Sequence, residues 1–291
     1  ALASYDGTNA LYTFRIQSPL SLLALSSNYR INRDISVPAL VSQLYQDRTS
    51  FPATLPLTTY SQKTSITQMG ETDLSFASRL LEAEGIFYFF EQSGNPPALI
   101  LGDSPASYLA SATPSLRYYG EFGPGVSSGA EFIRTFHKAT HQSTQQSTLK
   151  SYNFLNPLLP LLSHAESPVG TGEKVYFGGY TTASEGDRLA AIRQGRHHAE
   201  RATMAGSSTA PDLRPGHTFV LDDRTDSELG GAYVVTAVRH AALRRLTNNV
   251  PTFFYGNEFE VIPAGIPFRP ALKTPRPNTP PHTAVVTGPA G

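Results

Sequence analysis

Residues 71–90 run Glu-Thr-Asp-Leu-Ser-Phe-Ala-Ser-Arg-Leu-Leu-Glu-Ala-Glu-Gly-Ile-Phe-Tyr-Phe-Phe, and no other stretch limits the fold as strongly. Either Thr72 or Asp73 can cap a helix by accepting from the unpaired N–H groups of its first turn. Phe76, Ala77, Leu80 and Leu81 then share one helical face, with Glu84 at the same spacing. Gly85 follows where a left-handed residue would stop the helix. Residues 86–90 are β-favouring throughout. The turn signal Gly94-Asn95-Pro96-Pro97 separates them from Ala98-Leu99-Ile100-Leu101, which predicts a hairpin. Helix, glycine stop and hairpin in this order put an α+β unit at the middle of the first half of the chain.

The flanks are richer in strands than in helices. Residues 11–16 alternate in part and predict a half-buried strand, closed by Pro19, with a more buried segment over 20–25. Ser36 can cap a helix that carries Pro38 in its first turn, where the missing N–H costs little, and Leu40, Val41, Leu44 and Tyr45 form its buried face. Strands are expected over 55–60 and 63–69, then around Arg117-Tyr118-Tyr119 and over 131–136. The polar run 143–148 reads as a solvent-facing strand or a mobile loop. A second long helix is expected over 186–205, capped by Asp187 and stopped by Gly206. Its apolar positions Leu189, Ile192 and Ala199 are interrupted by Gly195 and Arg196, which places it on a surface. Strands at 218–221, 232–240 and 257–263 follow. Eight of the last 29 residues are proline, the composition of an extended, semi-rigid connector.

The length, 291 residues, allows two or three modules. Lys plus Arg equals Asp plus Glu at 23 each, without the basic excess usual in nucleic-acid binding. Only 16% of residues are charged, so much of the polar surface is Ser, Thr, Asn and Gln. With no cysteine there is neither disulfide nor thiolate metal site. The longest leucine-rich run, residues 158–162, is far short of the roughly 20 residues of a spanning helix. No basic n-region with an apolar core marks a secretory signal. The chain starts at Ala1 and its methionines are Met69 and Met204, as expected of a piece of a longer protein or a processed one.

Several small patterns were weighed as chemistry. Gly125-Val126-Ser127-Ser128-Gly129 matches the G-x-S-x-G nucleophile elbow, but that motif needs a strand before it and a helix after, and neither is expected. His137 and His141 have the spacing of metal ligands on a helix, in a segment that does not read as helical. His197, His198 and Glu200 lie on the second long helix without a third ligand nearby and read as a solvated face. Glu71, Asp73, Glu82 and Glu84 do not converge as a glycosidase pair; capping and solvation explain them better. Asp222, Asp223 and Asp226 lack EF-hand spacing. There is no P-loop, no G-x-G-x-x-G and no basic-aromatic stripe. No catalytic, cofactor-binding or metal-binding residue is therefore assigned.

One resemblance covers nearly all of the chain. The ordered phrase Glu71-Thr72-Asp73, Phe76, Arg79 to Glu82, Glu84-Gly85-Ile86, Tyr88-Phe89, Leu99, Leu101 and Asp103 resembles the VgrG spike proteins of type VI secretion, relatives of the contractile phage tail hub. Residues 12–25, the Leu213-Arg214-Pro215-Gly216 turn with its strand, the strand ending at His240, and residues 283–291 also resemble passages of that family. At 151–154, Ser and Asn replace two acids of the family pattern, and residues 29–32 match more loosely. The resemblance implies a strand-rich α+β fold with hub-like β-barrel tube domains and an outer α+β module. Residues 1–30 would end a first barrel, 31–110 form the outer module, 111–262 hold the second barrel with a helical excursion at 186–205, and 263–291 lead toward an OB-fold and β-needle. It further implies a structural, non-enzymatic spike without cofactors. That spike would be a homotrimer forming a pseudo-six-fold ring on an Hcp-like tube hexamer, with effector cargo and baseplate proteins as further partners and no nucleic acid. It would be assembled in the bacterial cytoplasm and then delivered. A hub of a phage tail or extracellular injection particle is the alternative reading, and an effector-type hydrolase using Ser127 the remote one. With the early strands of the first barrel lacking, an exposed sheet edge, or one paired with another chain, is expected.

Overall fold

A computed structural model of the chain describes residues 2–5, 10–13, 16–119, 130–222, 229–247 and 250–278. Strands β1 (Leu2–Tyr5) and β2 (Ala10–Thr13) pair as an antiparallel ribbon. Pro19–Leu25 is a 3-10 helix where a buried extended segment was expected; only Leu20 and Leu23 turn inward, and Leu22 and Leu25 are exposed. Next come β3 (Ser27–Asn32), α1 (Val37–Thr49), β4 (Ala53–Thr54), β5 (Ile66–Thr72), α2 (Asp73–Glu84), β6 (Phe87–Glu91) and β7 (Ala98–Gly102). β3 pairs with β5, and β6–β7 is the hairpin expected from the turn at 94–97. The strand expected at 55–60 does not form: only β4 pairs, with β7, and Leu55 and Leu57 are exposed. α1 and α2 bury their apolar faces together with Leu20, Leu23, Ile86, Leu99 and Leu101 in one core.

The rest of the chain builds a barrel with an insertion. β8 (Leu109–Tyr118), β9 (Phe132–Thr140), β13 (Ala202–Ser208), β14 (His217–Asp222), β15 (Gly231–Thr247) and β16 (Val250–Pro263) close on one another in the order β13-β16-β15-β14-β8-β9. Between β9 and β13 lie β10 (Gln146–Lys150), β11 (Leu162–Glu166), β12 (Glu173–Phe177) and α3 (Ala183–Arg201). These make a three-stranded sheet, order β11-β10-β12, covered by α3.

Six strands leave a barrel narrow enough for side chains to fill. Here the filling is aromatic. Phe136, Phe219, Tyr233 and Phe259 form a ring of contacts with centroids 5.2 to 6.2 Å apart. Gly206 makes this possible. It is paired with Phe136 on one side and Phe259 on the other, and a Cβ there would collide with the Thr135 carbonyl and the Phe259 ring. Gly206 is therefore not a helix stop but a strand residue whose missing side chain admits the Phe259 ring.

Two other expectations change. The polar run at 143–148 divides: residues 143–145 are irregular, whereas 146–148 open β10, the central strand, with Ser147, Thr148 and Leu149 buried rather than facing solvent. Ser147 is accommodated there because its hydroxyl donates to Gln194 Oε1 on α3 at 2.9 Å. The second long helix starts three residues earlier than expected, at Ala183, with Thr182 rather than Asp187 as the cap, and it ends at Arg201. It lies on the surface of its sheet with Asp187, Ala191, His198 and Glu200 exposed, but its inner face is broader than its apolar pattern suggests, with Ala190, Ile192, Gln194, Arg196, His197 and Ala199 buried. Its thin apolar face misled because it packs largely through polar groups.

Candidate functional site

The C-terminal end of α2 is where the parts of this molecule meet. Thr72 starts the helix as its cap, accepting from Ser75 N–H at 3.1 Å. Asp73 is the first helical residue, and its carboxylate is fully buried. It accepts from Arg30 Nη2 at 2.7 Å, Gln68 Nε2 at 2.8 Å and Asn28 Nδ2 at 3.1 Å, with Arg48 at 3.5 Å. Burial alone would raise its pKa. The hydrogen bonds from Gln68 and Asn28 and the charge of Arg30 outweigh burial and hold the carboxyl below its usual range. Glu71 meanwhile holds Arg79 through both carboxylate oxygens, at 2.6 to 3.0 Å, and Arg79 reaches back to the Thr67 carbonyl. The start of the helix is thus fixed to β3, β5 and α1 by charge-assisted bonds.

At the other end, Gly85 closes α2 in the left-handed conformation (φ +69°), and Ile86 N–H returns to the Leu81 carbonyl at 2.9 Å. A side chain at 85 would meet Ile192 Cγ2 on α3. Arg188, Ile192 and Arg196 stand four residues apart on one face of α3, and all three face this end of α2. Arg188 pairs with Glu84, Ile192 packs over Gly85, and Arg196 Nη2 approaches the Glu82 carbonyl at 3.4 Å. Lys63 bridges Glu84 and Glu185. The end of a helix carries partial negative charge, so this convergence of cations is favourable.

The connector after β16 adds the third party. Arg269 Nη1 donates to the Gly85 carbonyl at 2.9 Å. Glu82 accepts the backbone N–H groups of Lys273 and Thr274, each at 2.8 Å, and the Thr274 hydroxyl at 2.8 Å. Upstream, Tyr108 OH accepts from Phe268 N–H at 2.7 Å and donates to the Ile266 carbonyl at 3.0 Å, while Phe87 packs against both Tyr108 and Phe268. Burial lowers the pKa of Arg269, and the nearby Tyr60 and Asp103 draw it back up. Tyr60 OH donates to Asp103 at 3.0 Å; burial and then the Asp103 charge push that phenol strongly upward. A second brace lies on the barrel rim. His217 sits edge-on against Phe89, with Nε2 3.3 Å from Glu91 and Nδ1 3.1 Å from the Pro215 carbonyl.

The residues weighed as chemistry fall in scattered places. Ser127 lies outside the described residues, as do Asp223 and Asp226; Asp222 pairs with Arg117 at 3.4 Å. His137 is on β9 and His141 just beyond it, both exposed. His197 is not on a solvated face: it is buried, 3.0 Å from Tyr176 OH, and burial lowers its pKa, with a further push from Lys174. His198 and Glu200 are exposed. The four acids expected to be caps or solvated are neither. Asp73 and Glu84 are buried ion-pair partners, Glu71 is nearly so, and Glu82 grips the connector. The sequence reading missed Arg188, Arg196 and Arg269. The Arg-x-x-x-Ile-x-x-x-Arg stripe of α3 was the available signal: a helix face with a cation at each end needs an anionic partner.

These contacts define a scaffold, in which side chains lock modules together. The chain matches the phage tail baseplate hub (GPD) family over residues 1–245. It is 28% identical to the type VI secretion system spike protein VgrG5 of Pseudomonas aeruginosa over all of its own length and 40% of that protein. It is also 26% identical to the actin cross-linking toxin VgrG1 of Vibrio cholerae, over 97% of this chain and 27% of the toxin. In structure it resembles the Escherichia coli c3393 protein, described as a type VI secretion component similar to the T4 tail proteins gp27 and gp5 (TM-score 0.60, 21% identity, 89% of this chain and 57% of that one). A tail protein from Neisseria meningitidis also shares the fold (TM-score 0.59, 14% identity, 84% and 72%). The chain belongs to the phage tail baseplate hub family. It spans about 40% of the length of the spike proteins VgrG5 and VgrG1c that it matches.

Proposed function

We propose that this chain is the hub section of a type VI secretion spike. Three copies assemble a ring of pseudo-six-fold character, the ring seats on an Hcp-like tube, and the connector leads to the puncturing part. Effector cargo and baseplate proteins are its further partners. The spike is assembled in the bacterial cytoplasm and delivered outward. The observation that supports this best is the clamp on α2: the connector leaving the barrel is tied by Arg269, Lys273 and Thr274 to a module built from the first half of the chain. A hub that transmits thrust needs such a tie, because a loosely joined connector would bend when pushed. Sedimentation equilibrium, with electron microscopy of the chain mixed with Hcp-like rings, tests the reading. A three-subunit ring stacked on the tube is expected; a monomer that ignores the tube in both assays sinks it. The likeness to the Neisseria tail protein favours a second reading, a phage-type hub, for which rings form but the secretion tube protein is not engaged.

A further inference from the structure

Beside the clamp lies a cleft of about 920 Å³. One wall is the face of α2 and β5 around Leu80 and Thr67. The opposite wall is the end of β12, with Tyr176 and Phe177, and the neighbouring turn of α3, with Leu189 and Arg193. Connector residues Leu272 and Arg276 close one side. Five cations line it (Lys63, Arg79, Arg193, Lys273 and Arg276) against two carboxylates, Glu84 and Glu185. This excess is local, since the chain as a whole has a net charge of +0. Lys63 and Arg79 are matched by Glu84, Glu185 and Glu71. The side chains of Arg193, Lys273 and Arg276 make no ion pair among the described residues. Arg193 leans on the Tyr176 ring at 5.9 Å, and its Nη1 is buried without a hydrogen-bond partner among the described residues. An unmatched buried donor is costly, which favours an acceptor brought from outside. Burial, with Arg196 nearby, pushes the Arg193 pKa down to about 10, so the side chain still carries its charge at neutral pH.

The other half of the recognition chemistry is a strand edge. β12 is an outer strand of its sheet, bonded on one side to β10, and its Val175 and Phe177 are exposed, the latter at 83%. β5, across the cleft, is likewise an outer strand. Unpaired edge groups accept an added strand, while alternate side chains of that strand select its sequence. Free phosphate needs neither an apolar floor nor a strand edge; an extended peptide uses both.

We propose that this cleft binds an extended acidic peptide segment of a partner protein, laid along the free edge of β12 with its carboxylates toward Arg193, Lys273 and Arg276.

The test is fluorescence anisotropy of the chain with a labelled peptide of alternating Glu and Val, about eight residues and ~26 Å when extended. Saturable binding that weakens with salt is expected. The Lys273→Glu, Arg276→Glu double variant should lose affinity by about tenfold or more, and Arg134→Glu, on the exposed face of the barrel, should leave it unchanged. Circular dichroism melting of each variant separates a lost site from a lost fold. The proposal is overturned by an absence of saturable binding, or by equal binding of a Lys–Val peptide. It also fails if inorganic polyphosphate at matched charge displaces the acidic peptide completely, or if Arg134→Glu causes the same loss as the double variant.

Discussion

Asp73 shows how far a single residue can depart from what its position in the sequence suggests. An acid in the first turn of a helix reads as a dipole partner in water. Here the carboxylate is buried, and its cationic partners, Arg30 and Arg48, lie 43 and 25 residues upstream. Partners that distant leave no mark on local spacing, so the helix start was legible but its anchoring was not. Glu71, matched to Arg79 eight residues on, was missed for the same reason. Thr72 and Gly85, which act on their own helix ends, could be read directly because capping is local chemistry. The consequence for pH is definite. The folded pKa of Asp73 lies below its unfolded value of 3.8, so the unfolded chain takes up the proton first as pH falls. The stability that Asp73 contributes is complete above about pH 5 and is lost on acidification through pH 4 and below. Asp73→Asn should cost about 2–4 kcal/mol at pH 7, because Arg30 is left facing a neutral partner. Urea unfolding of both proteins between pH 3 and 7 should show the gap closing toward acid; a gap constant with pH rules out the carboxylate as its cause.

Among elements, α2 was read almost completely and α3 poorly. The face of α2 meets aliphatic and aromatic side chains, so its 3.6-residue apolar period reports its burial. α3 is buried against an ion-pair network and a serine-bearing strand, and its buried face therefore includes Gln194, Arg196 and His197. Hydropathy cannot distinguish such a face from a wet one. Two predictions belong to the place where these helices touch. Gly85→Ala puts a methyl into Ile192 and forces a non-glycine residue to φ +69°, so a loss of roughly 2–4 kcal/mol is expected in chemical denaturation. A change below about 0.5 kcal/mol would mean that the two helices are not held in close contact. Glu82→Ala removes three hydrogen bonds to the connector without touching either core. Arg269 and Arg276 are each followed by proline, so the Lys273–Thr274 bond is the tryptic site of this segment. Its cleavage should accelerate by about tenfold in Glu82→Ala, read by mass spectrometry under native conditions. An unchanged rate would show the connector to be held by other contacts.

At the scale of the whole molecule, the helix–hairpin unit and most barrel strands were legible, since strands carry their own pattern. Barrel closure was not: β8 pairs in parallel with both β9 and β14, and β13 meets β16 across some fifty residues, pairings that no local period encodes. The finished protein has two large apolar cores, one around α1 and α2 and one inside the barrel. Between them stand charged and polar contacts made by Glu82, Glu84, Arg188, Arg269 and the Glu91–His217 brace, beside a smaller aromatic contact of Phe87 with Tyr108 and Phe268. Charge-assisted hydrogen bonds contribute about 1.5–3 kcal/mol each when shielded from water. A few of them suffice to make two cores of ordinary stability unfold together. Cooperativity in this chain should therefore depend on the junction rather than on either core. Wild-type protein should give one calorimetric transition. The Glu82→Ala, Arg269→Ala double variant should give two, because the barrel and the helix–hairpin core then melt at their own temperatures. In that variant, tyrosine fluorescence, with contributions from Tyr233 in the barrel, should no longer coincide with far-ultraviolet ellipticity dominated by the helices. If a single transition and coincident probes persist after the junction is cut, the cores communicate through some other surface, and the clamp on α2 does not unify the molecule.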